Sequence, residues 1–133
     1  MLITEKTSPA AIEAALLLLP PGKYDLGNGR SVRIHPNGNR WWYQNSQLHR
    51  EDGPAFERVN GTCEWYQNGK QHRVGGPAVE GADGTREWWV DGIRHRVDGP
   101  AVMKPNGSQE WWINGKRERA KRKQSKSIEP TVG

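Results

Sequence analysis

His49, His72 and His95 recur every 23 residues, and imidazole is the side chain best suited to proton transfer near neutral pH and to zinc ligation. If each 23-residue unit supplies two strands, equivalent residues lie roughly 10 Å apart, since neighbouring strands are ~4.8 Å apart. Zinc holds its nitrogen ligands at about 2.0 Å, so three such rings cannot share one ion. The histidines therefore read as structural residues holding turns. Asp52 and Asp98 stand two units apart with Gly75 between them, roughly 20 Å by the same spacing, too far to act as acid and base on one bond. They read as turn caps. Cys63 is the sole cysteine and fills a slot held elsewhere by Arg40, Arg86 and Gln109, which excludes an intrachain disulfide and a multi-thiolate metal site. No phosphate-cradling loop, nucleophile elbow or metalloprotease motif is present. The expectation is a chain with no catalytic residues, no metal and no cofactor.

The elements that carry these residues are repeated with them. Trp42, Trp65, Trp88 and Trp111 share one register, as do Arg50, Arg73, Arg96 and Arg119. Gly53-Pro54-Ala55, Gly76-Pro77-Ala78 and Gly99-Pro100-Ala101 follow the same period, and Asn37-Gly38, Asn60-Gly61, Asp83-Gly84 and Asn106-Gly107 open the units. No gap is needed over three and a half units, the signature of an architecture that stacks one small supersecondary piece on the next.

Each unit reads as two strand-length runs. An aromatic run such as Glu64-Trp65-Tyr66-Gln67 ends at Asn68-Gly69, Asp91-Gly92 or Asn114-Gly115, dipeptides that favour type I′ hairpin turns. The first unit has Asn45-Ser46 there, which should weaken its turn. A second run carries His-Arg and ends at Gly-Pro, where the missing proline N–H places a bend or a strand start. The fold class expected is mainly β: an elongated single-layer antiparallel sheet of repeated hairpins, with a short N-terminal helix and a basic C-terminal tail. The helix spans the apolar run from Pro9 to Leu19, capped by Ser8 and stopped by Pro20-Pro21-Gly22, and it should cover the sheet near the first repeat. The segments are then 1–22 (helical), 23–36 (a degenerate hairpin around Gly27-Asn28-Gly29), 37–119 (repeats) and 120–133 (flexible tail).

Strand alternation puts Trp42, Trp65, Trp88 and Trp111 on one face and Tyr43, Tyr66, Trp89 and Trp112 on the other, beside Trp41, Glu64, Glu87 and Glu110. The carboxylates mark the second face for solvent, so Trp41, Tyr43, Tyr66, Trp89 and Trp112 are the candidate partner-binding residues. Arg50, Arg73 and Arg96 either pair with Glu64, Glu87 and Glu110 across strands or line up for an anionic partner. The net charge of +5 is confined to the C-terminal end, because residues 1–115 are neutral. Lys116, Arg117, Arg119, Lys121, Arg122 and Lys123 are thus further candidates for anionic contacts, nucleic acid among them. The mean hydropathy is −0.95, and Ala10–Leu19 is too short to span a bilayer. A cytoplasmic protein is expected.

The unit resembles the MORN repeat, also 23 residues long. Trp65, Asn68-Gly69-Lys70, His72 and Asp83-Gly84 match its pattern, as do Trp88, Asp91-Gly92, His95 and Asn106-Gly107. The chain departs where that family has Gly after His, placing Arg there and then Gly-Pro-Ala; it is similar to a divergent variety found in bacterial and phage-encoded proteins. The resemblance implies a sheet that serves as a binding surface. The leading expectation is a non-catalytic interaction or adaptor protein that engages a protein partner, or a second copy of itself, by sheet packing. Nucleic-acid binding through the basic tail is one alternative. A small phage or mobile-element inhibitor of a host factor such as a defence complex is another, implied by the resemblance alone.

Overall fold

The computed structural model describes residues 9–119. Ser8 and the segment 120–133, including Lys121, Arg122 and Lys123, lie outside the described residues. The chain is mainly β, an open antiparallel arrangement of successive hairpins with one short helix. It falls into two compact units, one running through Lys70 and the other from Gln71.

In the first unit, helix α1 (Pro9–Leu16) precedes β1 (Gly22–Gly27), β2 (Arg30–Ile34), β3 (Arg40–Gln44), β4 (Gln47–Leu48), β5 (Phe56–Glu57), β6 (Cys63–Glu64) and β7 (Tyr66–Gln67). The order across the sheet is β1-β2-β3-β5-β6, with β4 paired to β3. The helix stops at Leu16 instead of continuing to Leu19, and Leu17 and Leu18 are exposed at 81% and 79%. Its buried residues Ile12 and Leu16 pack with Leu26, Val32, Ile34, Trp42 and Ala55. The helix thus packs against the sheet beside the first repeat, and eight residues could not hold a helix without that contact.

β8 (Lys70–Gln71) spans the boundary. The second unit holds β9 (Val79–Glu80), β10 (Arg86–Glu87), β11 (Trp89–Val90), β12 (Ile93–Arg94), β13 (Val102–Met103), β14 (Gln109–Ile113) and β15 (Lys116–Glu118). Its main order is β9-β10-β13-β14-β15, while β11 and β12 pair only with each other. Ala78, Ala101, Val102 and Trp111 are its buried apolar residues.

The period from Asp83 therefore holds four short strands, β10 to β13, where the sequence suggests two. The aromatic run is broken at its tryptophan, where it changes partner, and a further strand follows the proline. Before Trp88, Arg86 and Glu87 pair with Glu80 and Val79 on one side and with Met103 and Val102 on the other. After it, Trp89 and Val90 pair with Arg94 and Ile93 across the Asp91-Gly92 turn. Trp88 itself donates its amide to the Ala101 carbonyl at 2.8 Å and accepts the His95 amide at 3.2 Å. Trp42 does the same with Ala55 and His49. The alanines sit at this crossover with 0% exposure, leaving no room for a larger side chain.

The hairpin turns take the positive φ pairs that type I′ geometry needs: Asn68 and Gly69 at 51° and 81°, Asp91 and Gly92 at 49° and 78°, Asn114 and Gly115 at 49° and 80°. Asn45 and Ser46 adopt the same pair, 49° and 67°, so the first turn is retained with a serine in a conformation glycine would hold more cheaply. The loops between units are equally regular. The side-chain oxygens of Asn37, Asn60, Asp83 and Asn106 each accept the amide two residues on at 2.9 Å, an Asx turn that sets the reversal. At Asp83 the Thr85 amide and hydroxyl hold the carboxylate below its ordinary range.

Candidate protein-interaction surface

The histidines follow one rule. Nδ1 of His49 accepts the Asn68 amide at 3.0 Å, that of His72 the Asp91 amide at 3.0 Å, and that of His95 the Asn114 amide at 2.9 Å. Each ring thus anchors the first residue of the next hairpin turn; at His49 this places the proton on Nε2, which faces Glu51 Oε2 at 2.9 Å, while His72 Nδ1 also lies 3.3 Å from Asp91 Oδ1. The turn-holding expectation is met. Among the described residues no group of three or more His, Cys, Asp or Glu is placed to hold a metal.

The arginines are committed inward, which corrects the idea of a free line of cations. The Arg50 guanidinium lies 3.7 Å from the centre of the Trp42 ring, donates to Asp52 at 3.0 Å and to the Pro54 carbonyl at 3.3 Å, and is buried. Arg96 repeats this on Trp88 (3.8 Å), Asp98 (3.2 Å) and the Pro100 carbonyl (3.1 Å). Arg73, facing Gly75 where its equivalents have an aspartate, turns to Glu80 at 3.3 Å and to the Pro77 carbonyl at 3.0 Å. Where the sequence suggests Glu64, Glu87 and Glu110, the carboxylates that hold these arginines include Asp52 and Glu57 for Arg50, Glu80 for Arg73 and Asp98 for Arg96, since each Arg lies past the end of its own strand. Asp52 and Asp98 serve as partners of these arginines. The glycine before each proline has the same cause: a Cβ on Gly53, Gly76 or Gly99 would come within 3.1, 3.1 or 2.8 Å of the guanidinium carbon.

The second face carries the aromatic row, and its carboxylates hold the rings. Tyr66 donates its hydroxyl to Glu64 at 2.9 Å, and the indole N–H groups of Trp89 and Trp112 donate to Glu87 at 2.9 Å and Glu110 at 3.0 Å. In the second unit the geometry converges on Arg94, which sequence reasoning missed. Its guanidinium lies 5.0 Å from the Trp89 ring and 5.1 Å from the Trp112 ring, and reaches Glu87 at 3.4 Å. Trp89, Trp112, Arg94, Ile93, Gly92 and Gly115 line one shallow recess. Ile93 is 47% exposed at its edge. Trp41 and Tyr43 belong to the first unit: Trp41 is tilted between His35 (6.0 Å) and Phe56 (5.4 Å), and Tyr43 lies opposite Ser31 and Leu48. All five predicted aromatics are half-buried. Cys63 is half-buried as well, and Lys116, Arg117 and Arg119 are exposed.

The Trp112 indole holds the Glu110 carboxyl below the usual carboxylate range against the opposing effect of burial, with Arg117, Lys104 and Arg94 adding to the same direction. A depressed folded-state value contributes stability above the unfolded-chain value, and this is lost as pH falls through the folded one. Trp112→Phe keeps the ring and removes the donor. A carboxyl NMR titration should show Glu110 moving up toward its ordinary range, and the variant's stability should decline less steeply in acid because less of this contribution remains to be lost. An unmoved Glu110 titration would contradict the assignment.

Comparison with protein-family models, with curated proteins and with solved structures finds no match to this chain. No helix among the described residues is long and apolar enough to cross a membrane.

Proposed function

We propose that this chain is a cytoplasmic, non-catalytic interaction protein built from MORN-like repeats, and that it engages a protein partner through the aromatic face centred on Trp89, Arg94 and Trp112. The observation that carries this reading is the paired indoles flanking one guanidinium, with Ile93 exposed at 47% in the same recess. Tryptophan and arginine are the residues most often found at the energetic centre of protein interfaces. The glutamate bonds fix the ring orientations in advance, so less side-chain freedom is lost on binding. A Trp89→Ala/Trp112→Ala double variant should lose partner capture from the native lysate with an unchanged far-UV spectrum; full capture by the variant would remove the reading. A second copy of the chain is one form of the partner, and light scattering on the purified protein distinguishes it.

A second reading is favoured by the exposure of Lys116, Arg117 and Arg119 at the start of the basic run: binding of nucleic acid through the C-terminal end.

A further inference from the structure

The first unit breaks the pattern of the aromatic face. Where later repeats place Glu64, Glu87 or Glu110 two residues before the ring, the first places Trp41, so Tyr43 lacks the carboxylate that holds Tyr66, Trp89 and Trp112. The strands added in front bring cations instead. Lys23 and Arg33 are directly opposite one another across β1 and β2, and Arg33 is in turn opposite Trp41. Like charges in that position disfavour the pairing. Neither makes an ion pair among the described residues, whereas Arg40 and Arg50 are both bonded to Glu57. Lys23, Arg33 and Tyr43 border one open groove of about 700 Å³, with Ser31, Asn45 and Ser46 along it; a third cation, Arg30, also lines it and donates to the Gly27 and Leu26 carbonyls. Asp25 is the only acid lining it, and its Oδ1 is occupied by the Gly27 amide at 2.9 Å.

We infer that this groove binds single-stranded nucleic acid. Lys23 and Arg33 meet successive phosphates, Tyr43 offers a ring for a base, and Ser31 and the Asn45-Ser46 turn offer hydrogen-bonding groups to base edges. A positively charged channel with aromatic platforms is the usual chemistry of sequence-tolerant single-strand binding. An acidic protein segment would satisfy the cations, but it would make no use of the Tyr43 ring that borders the same groove. This surface belongs to the first unit and does not depend on the Trp89–Trp112 reading, nor on the basic tail.

The test is fluorescence anisotropy of a dye-labelled thymidylate strand of about 12 nucleotides with the full chain, at ~50 mM salt and above, where each phosphate contact on a single strand contributes roughly 0.7 to the salt slope. Lys23→Gln/Arg33→Gln should weaken binding at least tenfold and flatten the slope by about 1.4. Tyr43→Leu should weaken it about fivefold or more with the slope unchanged. A Lys121→Gln/Arg122→Gln/Lys123→Gln variant should keep both the groove-dependent losses. Lys23 and Arg33 are exposed, so their variant should keep the melting temperature of the parent, and the melting temperature is checked for every variant. No binding by the parent chain, binding lost only in the tail variant, or competition by polyglutamate together with an inert Tyr43→Leu would each overturn the inference.

Discussion

Trp42→Ala is expected to destabilise the first unit by about 3–5 kcal/mol, the range for removing a large buried aromatic ring. The ring is 5% exposed and packs among Ile12, Leu16, Val32 and Ala55, and its N–H donates to Glu57 at 3.1 Å. Arg50 stacks on it, so the variant also leaves a buried guanidinium without its ring. Trp88 occupies the same register and carries the same arginine contact, but it is only half-buried and has no helix over it. Trp88→Ala should therefore cost visibly less. Hydrogen exchange of amides in β2 and β3 for the first variant, and in β10 and β13 for the second, reads each unit separately. Equal losses in the two would mean that the helix adds little to the first core.

The second large effect is expected at His49, where the ring is buried and its Nδ1 holds the Asn68 amide at 3.0 Å. His49→Ala strands that amide and should cost about 1–3 kcal/mol. His49→Asn places an amide oxygen close to where Nδ1 lies and should recover most of the loss. Protection of the Asn68 amide should fall in the first variant and return in the second, and nitrogen NMR of the parent should show the proton on Nε2. If the two variants are equally damaged, ring packing and not the turn bond is what His49 provides.

Much of the fold was legible because the period fixes which residues are equivalent. The Asn-Gly and Asp-Gly turns followed from local chemistry that tertiary structure had no reason to override. The strand after each Gly-Pro was hidden because it is only two residues long, so no alternation marks it. The arginine partners were misassigned for a related reason: the alternation rule was carried past the strand end into the bend before Pro54, Pro77 and Pro100.

The candidate surface was legible in part. Trp89 and Trp112 could be placed on one face by register alone. Arg94 could not be singled out, because its column in the repeat reads Leu48, Gln71, Arg94 and Arg117, with no common chemistry. Lys23 and Arg33 lie in the leading hairpin, outside the repeat. Their opposition depends on a register shift between Asp25 and Gly27 that nothing in the sequence announces.

The bonds that close one hairpin onto the next give a rule for how the chain can change length. In the second unit the Gln71 carbonyl, His72 ring and Arg73 amide meet Gly92, Asp91 and Trp89, and the Arg94, His95 and Arg96 groups meet Gly115, Asn114 and Trp112 in the same way. Duplicating one whole period would reproduce every donor and acceptor. Inserting a single residue between an imidazole and its turn would misalign all three contacts at once. Growth or shrinkage by complete modules is thus the path of least structural resistance.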